Sequence, residues 1–582
     1  MIFMTGRPAP YNGIRVGINR MVVTTPGLYI KPEEIAKPIT RQDIDYKLKK
    51  EAKEARAAGR EWREPAGDEI ERMVADKVAE NVGKIRKGLG VETIRMAGYS
   101  ESNATFVADG IYEFIMGVAG NGASFSKLIN EPIRALYYGT ESNPDRSRPE
   151  LEVSLLVACS KLLDDDEPKY RPIVEMLKEA RLVPITYACV GGVVGLHEAV
   201  TRVRQATSSG RSESALVIGA DTAYYDSKKA PGAEATQGAA ATIMWVTQNP
   251  DLVIVGEQTG NYRTAMSDFT KFIEETPEVH GKFSELAYVY TVSKALERLE
   301  TELIGDQRHK ASILNELDFF ICHVPFPKQA EYFASFLFMH WMKLHDQQKF
   351  AEIQGRDGIG KEPLGSFRHL TDMMDSKMRS FNRNENRNEQ EIIGYIESDQ
   401  EIKTYWEWLK ALRKTPEFEG FLNGLHIRDA LKLPAQVGNS YSSSIFVSLA
   451  SLIKYVFGEM PENGGAGSAG IMAGYGSGAQ AMTYPINIVA RKGTLDGKLA
   501  LHMNDGVEYA LTAEQYEELH AAHIKGDAVR LTANPDLVKK DQKLLKTDKL
   551  PKGFHVNRRN TDGTGEYVYS DGERITPVRI RY

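Results

Sequence analysis

The sequence predicts an α/β protein: a mostly parallel β-sheet with helices on both sides, laid out as two similar halves. Three observations carry that expectation. Short apolar runs alternate with stretches whose apolar residues recur at helical spacing, as strand–helix–strand units require. Each half places a reactive side chain just past a buried strand, Cys189 in the first and His323 in the second. The 582 residues also exceed what one ordinary core holds, so at least two units are expected.

Residues 13–23 alternate well enough for a first strand. Residues 41–64 are rich in Lys, Arg, Glu and Ala with few apolar anchors, and read as a solvated helix or an insertion. The interspersed acids argue against a basic binding surface. Asp68 with Glu71 has the form of a capping box ahead of the stripe Ile70, Met73, Val74, Val78, Val82 and Ile85. A second amphipathic helix covers 106–116. The apolar run 133–139 reads as a buried strand ending in Gly139-Thr140-Glu141-Ser142-Asn143-Pro144-Asp145. An acid beyond a buried strand stands where open α/β sheets hold ligands; a solvated turn acid or helix cap is the other reading.

After a helix with Leu155, Leu156 and Leu162, residues 184–189 read as a buried strand ending in a tight turn at Cys189. Val193, Leu196, Val200 and Val203 then give a helical stripe, so Cys189 stands at a helix N-terminus. The positive end of the helix dipole favours a thiolate, lowering the pKa from about 8.5 toward neutrality. Ala188, Gly191 and Gly192 leave room for a ligand to approach the backbone. A nucleophile and an inert small core residue both remain open from this stretch alone.

The strand 215–219 runs into Ala220-Asp221-Thr222, followed by a polar loop, 230–238, and the run 239–246, which reads as a strand buried on both faces. A second set begins near Asp251 with the strand 252–255, a helix at 284–302 and the strand 319–322 ending at His323. Residues 345–425 form a long polar insertion with Asn- and Arg-rich sequence at 381–390 and the Trp406/Trp408 pair. Residues 437–444 open an apolar helix. The Gly-rich stretch 464–478 holds a strand at 469–473 and a turn at 474–478, and 484–490 is the last expected core strand. Three units follow: 12–250 with an insertion at about 41–90, 251–495 with the insertion at 345–425, and a charged extension, 496–582.

Hydrophobic content of 42%, charged content of 26% and a net charge of −6 are those of a soluble globular protein. Neither nucleic acid nor a membrane surface is indicated. Three cysteines are no disulfide framework and fit a reducing cytosol. No signal pattern opens the chain, and the most apolar helix-like run, 445–457, is too short to span a bilayer. A cytoplasmic protein is expected. The histidines and cysteines show no metal-ligand spacing.

Cys189, His323, an Asn in a Gly-Asn turn, a carboxylic acid and a Gly-rich turn together supply a nucleophile, a thioester-polarising donor, an acid/base and an oxyanion hole. These are the parts for acyl transfer and carbon–carbon bond formation on a thioester. The motifs that carry them are Gly139-Thr140-Glu141-Ser142, Ala188-Cys189, Gly219-Ala220-Asp221-Thr222-Ala223, Glu234-Ala235-Thr236-Gln237-Gly238-Ala239, His323-Val324-Pro325-Phe326-Pro327-Lys328, Gly438-Asn439-Ser440-Tyr441-Ser442 and Tyr475-Gly476-Ser477-Gly478. In this order, over about 130–490, the sequence resembles the 3-hydroxy-3-methylglutaryl-CoA (HMG-CoA) synthases of the thiolase superfamily. Ketoacyl synthases are similar in Cys, His and Asn but lack the acid after Gly-Thr. The chain departs from the family at Val190, where an aromatic residue is usual, and at Thr270-Lys271-Phe272, where only the basic residue matches.

The resemblance implies a thiolase-like fold, two similar halves forming a five-layered α-β-α-β-α sandwich with charged helical insertions, and a homodimer. It implies that Cys189 takes the acetyl group of acetyl-CoA and that Glu141 deprotonates it for attack on acetoacetyl-CoA. His323 would polarise the acceptor carbonyl, and hydrolysis would release HMG-CoA for isoprenoid precursor synthesis by the mevalonate route. Asp221, Thr236, Lys328, Asn439 and Ser477 are implied as substrate-binding positions. Lys328 would meet the CoA phosphates or pantetheine, and the N–H groups of Cys189 and Ser477 are candidates for the oxyanion hole. No cofactor or metal is implied beyond CoA thioesters as substrates; a thiolase is a further partner. Two alternatives remain: a condensing enzyme whose acceptor rides on an acyl carrier protein, and a silent thiolase-like scaffold subunit.

Overall fold

In a computed structural model, which describes residues 13–142, 150–165, 167–226, 229–230, 232–271, 276–305, 313–356, 358–361, 398, 400–458, 468–490, 495, 497–503, 509–524, 536–559 and 565–580, the apolar runs become strands of one eleven-stranded sheet. They are β1 (Val16–Thr24), β2 (Ile133–Gly139), β3 (Arg181–Ile185), β4 (Ser214–Thr222), β5 (Ala239–Gln248), β6 (Val253–Val255), β7 (Gly260–Arg263), β8 (Phe319–Cys322), β9 (Ser468–Gly476), β10 (Gln480–Ile488) and β11 (Leu499–His502). The spatial order is β8-β9-β10-β6-β1-β5-β4-β2-β3, with β11 on β1 and β7 on β10.

One pairing plan occurs twice. In the first set β2 runs parallel to β4, and β5 is antiparallel to β4 and β1. In the second β8 runs parallel to β9, and β10 is antiparallel to β9, β6 and β7. The sets meet where Gly17 pairs with Ile254. A side-chain period of two then divides each strand between two cores. Val217, Ile321 and Met472 face a central layer made by the helices Gly191–Ser208 and Ser444–Leu452. Leu216 and Ile218 face the helices Asn103–Ala119 and Glu150–Asp164. Phe320, Cys322 and Ile471 face Gly281–Ile304 and Pro327–His345. Helix, sheet, helix, sheet and helix layers result, as the resemblance implied.

Several expectations are corrected. The sheet is mixed, because β9 and β10 join through a tight turn, which needs no crossover helix. That turn follows Gly476; Gly474 and Tyr475 lie within β9. The strand ahead of Cys189 is the half-exposed sheet edge Arg181–Ile185 and stops short of the cysteine. Beyond the fully buried β10, which covers the expected last core strand, the extension adds the half-buried strand β11, parallel to β1. In the first insertion the helix spans Pro32–Ala57 and does have anchors: Ile44 and Leu48 pack on Val74 of the helix Gly67–Gly83. Asp68 is not the cap; Ala66 is, two residues earlier, and Glu69 Oε2 accepts from Ala66 N–H at 3.0 Å. In the second insertion Trp408 is buried and donates to Gly360 O at 3.1 Å, so the Trp pair belongs to the outer core. The Asn- and Arg-rich stretch 381–390 and Asn143-Pro144-Asp145 lie outside the described residues. Among the described residues no helix is long and apolar enough to cross a membrane.

Candidate active site

Close backbone approach builds the site. A Cβ on Gly139 would lie 2.4 Å from Gly192 N, so only glycine lets the end of β2 meet the first turn of the Gly191–Ser208 helix. Ala188 takes a positive φ of 44°, a strained value for a residue with a Cβ, and thereby turns the chain out of the β3 edge into that helix. Cys189 is thus delivered beside Glu141: its thiol donates to Glu141 Oε2 at 3.7 Å.

Two buried aspartates lock the turns. Asp221 Oδ1 accepts from Thr140 Oγ1 at 2.9 Å, Glu141 N–H at 2.7 Å and Ser142 N–H at 2.9 Å, while Oδ2 accepts from Ser442 N–H at 2.9 Å. Asp268 Oδ1 accepts from Gly478 N–H at 2.9 Å, and Oδ2 accepts from Tyr475 and Ser284 hydroxyls, each at 3.0 Å. The second clamp sets the turn whose Ser477 N–H bonds the Cys189 sulfur.

The electrostatics reverse one expectation. The Cys189 thiol is held well above its ordinary pKa, first by burial and then by the Glu141 and Asp221 carboxylates; the Ser477 N–H opposes the shift without overcoming it. Loss of hydration outweighs the helix-terminus dipole, so the resting sulfur is a thiol. Burial raises Glu141 to about 7, with Lys271 pulling down and Asp221 pushing up; Lys271 Nζ donates to Glu141 O at 3.4 Å. Among the described residues Glu141 Oε1 is buried without a partner. Burial alone lowers His323 to about 3, so its imidazole is neutral at physiological pH, and its Nδ1 is also buried without a partner among the described residues.

A cavity of about 280 Å³ is lined by Cys189, Thr236, His323, Asn439 and Ser477, which the sequence singled out from five separate stretches. Glu141 sits against the sulfur, and Asp221 lies beneath as a clamp. Lys328 is not among the residues lining the cavity, although Phe326 and Gln329 on either side of it in sequence are; its Nζ lies 2.6 Å from Glu331 Oε2. Sequence reasoning missed the aromatic wall. Tyr225, Tyr441, Tyr475, Tyr288 and Phe269 line the same space, and Asn439 Nδ2 donates to Tyr225 OH at 3.3 Å. Four of the five stand within or next to a singled-out motif; Tyr288, inside a helix, had no local signal.

Comparison with known proteins bears on the sequence and the fold. No family model matches the sequence. The hydroxymethylglutaryl-CoA synthase of Haloferax volcanii is 26% identical over 453 residues, which is 76% of this chain and 86% of that protein. Among solved structures, MvaS in complex with 3-hydroxy-3-methylglutaryl coenzyme A superposes with a TM-score of 0.53 at 18% identity, over 96% of this chain and 100% of that one. The chain has the thiolase-like fold of the hydroxymethylglutaryl-CoA synthases. The curacin-pathway HMG synthase in complex with acetyl donor-ACP shares that thiolase-like fold, with a TM-score of 0.58 at 15% identity over 95% and 100% of the two chains. The resemblance drawn from the motifs is borne out in both sequence relatives and fold.

Proposed function

We propose that the chain is a condensing acyltransferase, a hydroxymethylglutaryl-CoA synthase acting on acetyl-CoA and acetoacetyl-CoA. One observation carries this reading: a thiol donates across 3.7 Å to a carboxylate poised near neutrality, beside a cavity that also holds a neutral histidine and Asn439. Glu141 accepts the Cys189 proton as sulfur attacks the acetyl thioester and passes it to the departing CoA thiolate. The carboxylate is thereby regenerated next to the bound acetyl group. It next takes a methyl proton, and the carbanion adds to C3 of acetoacetyl-CoA. The new alkoxide recovers that proton, and water hydrolyses the enzyme thioester.

Neutral His323 polarises the acceptor carbonyl as a hydrogen-bond donor, with Asn439 beside it. The Cys189 and Ser477 N–H groups hold the developing oxyanion, and Thr236 and Lys328 meet the acceptor and its CoA arm. CoA thioesters enter as substrates, and no resident cofactor takes part. The half-exposed edge strand β3, with Tyr187 41% exposed beyond it, supports a homodimer through that edge. The division at 250/251 and 495/496, a cytoplasmic location and a thiolase supplying acetoacetyl-CoA complete the reading.

The test is intact-protein mass after brief exposure to acetyl-CoA, on wild type and Cys189→Ala, followed by acetoacetyl-CoA and product analysis. An adduct that needs Cys189 and discharges to HMG-CoA is expected. An adduct that only a carrier-protein-bound acceptor discharges would move the assignment to that class. No adduct would sink it in favour of a silent subunit.

A further inference from the structure

The helix Ala513–Ile524 of the C-terminal extension lies outside every motif the sequence offered, yet its fully buried Tyr516 reaches the site. Tyr516 OH accepts from Gln237 Nε2 and donates to Glu234 Oε1, both at 2.7 Å. The His520 ring stacks on Tyr516 at 5.1 Å between centroids. Gln237 Oε1 in turn accepts from Tyr225 N–H at 3.4 Å. The turn so held carries Thr236, whose carbonyl accepts from Asn439 N–H at 2.8 Å, and Gln237 pairs with Asn439 as a β-bridge. The contact is backbone against backbone: a Cβ on Gly438 would lie 2.0 Å from Gln237 O. Glu234–Thr236 and Gly438-Asn439 can therefore move only together.

We infer that Tyr516 is a positioning residue for the condensation step: its hydroxyl fixes the Glu234–Thr236 turn and, through that turn, sets Asn439 and Thr236 where the acceptor thioester binds. The inference rests on the condensing-enzyme reading for its kinetic arm and on geometry alone for its structural arm. Cys189 and Glu141 are held by Asp221 and the Gly139 contact, which Tyr516 does not touch, and its route toward the sulfur runs through a long 3.4 Å bond from Tyr225 N–H to Gln237, so condensation should suffer far more than acetylation.

The experiment uses the full chain, Tyr516→Phe and Glu234→Gln. Hydrogen exchange is followed in a peptide covering residues 437–443, far in sequence from both changes. Each variant should exchange there at least roughly tenfold faster than wild type. With acetyl-CoA alone the Cys189 adduct should form within about twofold of the wild-type rate, while KM for acetoacetyl-CoA rises at least roughly tenfold. Unchanged exchange at 437–443 in both variants would overturn the coupling whatever the reaction catalysed. Equal loss of acetylation and condensation would reduce Tyr516 to a general structural role. A wild-type chain that forms no adduct fails the functional reading, while the exchange result still decides the coupling. Should Tyr516→Phe not fold, Glu234→Gln, which keeps the shape but replaces the carboxylate acceptor of the Tyr516 hydroxyl with a weaker amide, decides both arms.

Discussion

At Glu141 the cost and the use of burial coincide. A carboxyl raised to about 7 binds a proton in the folded state that the unfolded chain, near 4.5, has already released, so folding stability falls as pH rises through that window. Glu141→Gln should raise the melting temperature by a few degrees at pH 8 and barely change it at pH 4, read by calorimetry. The same group must be ionised to accept a proton, so turnover should climb to a limb near pH 7. The variant should lose roughly 10²–10⁴ of the rate and the limb with it; a limb that persists in Glu141→Gln would assign it elsewhere. His323 has the opposite sign: with a folded pKa of about 3, its contribution is intact above pH 6.5 and is lost as pH falls toward 3.

At the level of elements, turns and a sheet end are brought into register by small contacts. Gly139→Ala would push β2 off the Cys189 helix, at a cost of roughly 1–3 kcal/mol for overpacking. Turnover should fall further than the stability loss explains, because the Glu141-to-sulfur distance is what changes; stability and activity assays on one preparation separate the two. Asp221→Ala strands three backbone N–H groups and the Thr140 hydroxyl, and should cost roughly 3–5 kcal/mol in denaturant melts. Cys189 and His323 were legible because each follows or adjoins a short apolar run. The clamp was not, because its donors lie about 80 and 221 positions from Asp221 along the chain.

Across the whole molecule the extension is structural as well as local to the site. β11 pairs with β1, and Leu511, Tyr516 and Leu519 share a core with Leu28, Ile35 and Met96. Truncation after residue 495 should give insoluble or unfolded chain, seen by expression and circular dichroism; a folded, active truncate would refute that integration. Light scattering should find twice the chain mass, and a charge placed at the exposed Tyr187, just beyond the β3 edge, should halve it.

By itself the sequence determined what is local and periodic: which runs become strands, where helices begin, and that a thiol, an acid, an imidazole and an amide follow them in a set order. Only the tertiary structure decided what depends on distant neighbours. Apolar residues occur in edge and interior strands alike, so the exposure of β3 is set by its place at the end of the sheet, with no strand beyond it among the described residues. The dipole that favours a thiolate is visible in sequence, but the desolvation that outweighs it comes from the Tyr225, Tyr441 and Phe269 wall that closes over the sulfur. Charge states in a site are fixed by how much water the fold removes, and that is a property of the assembled layers.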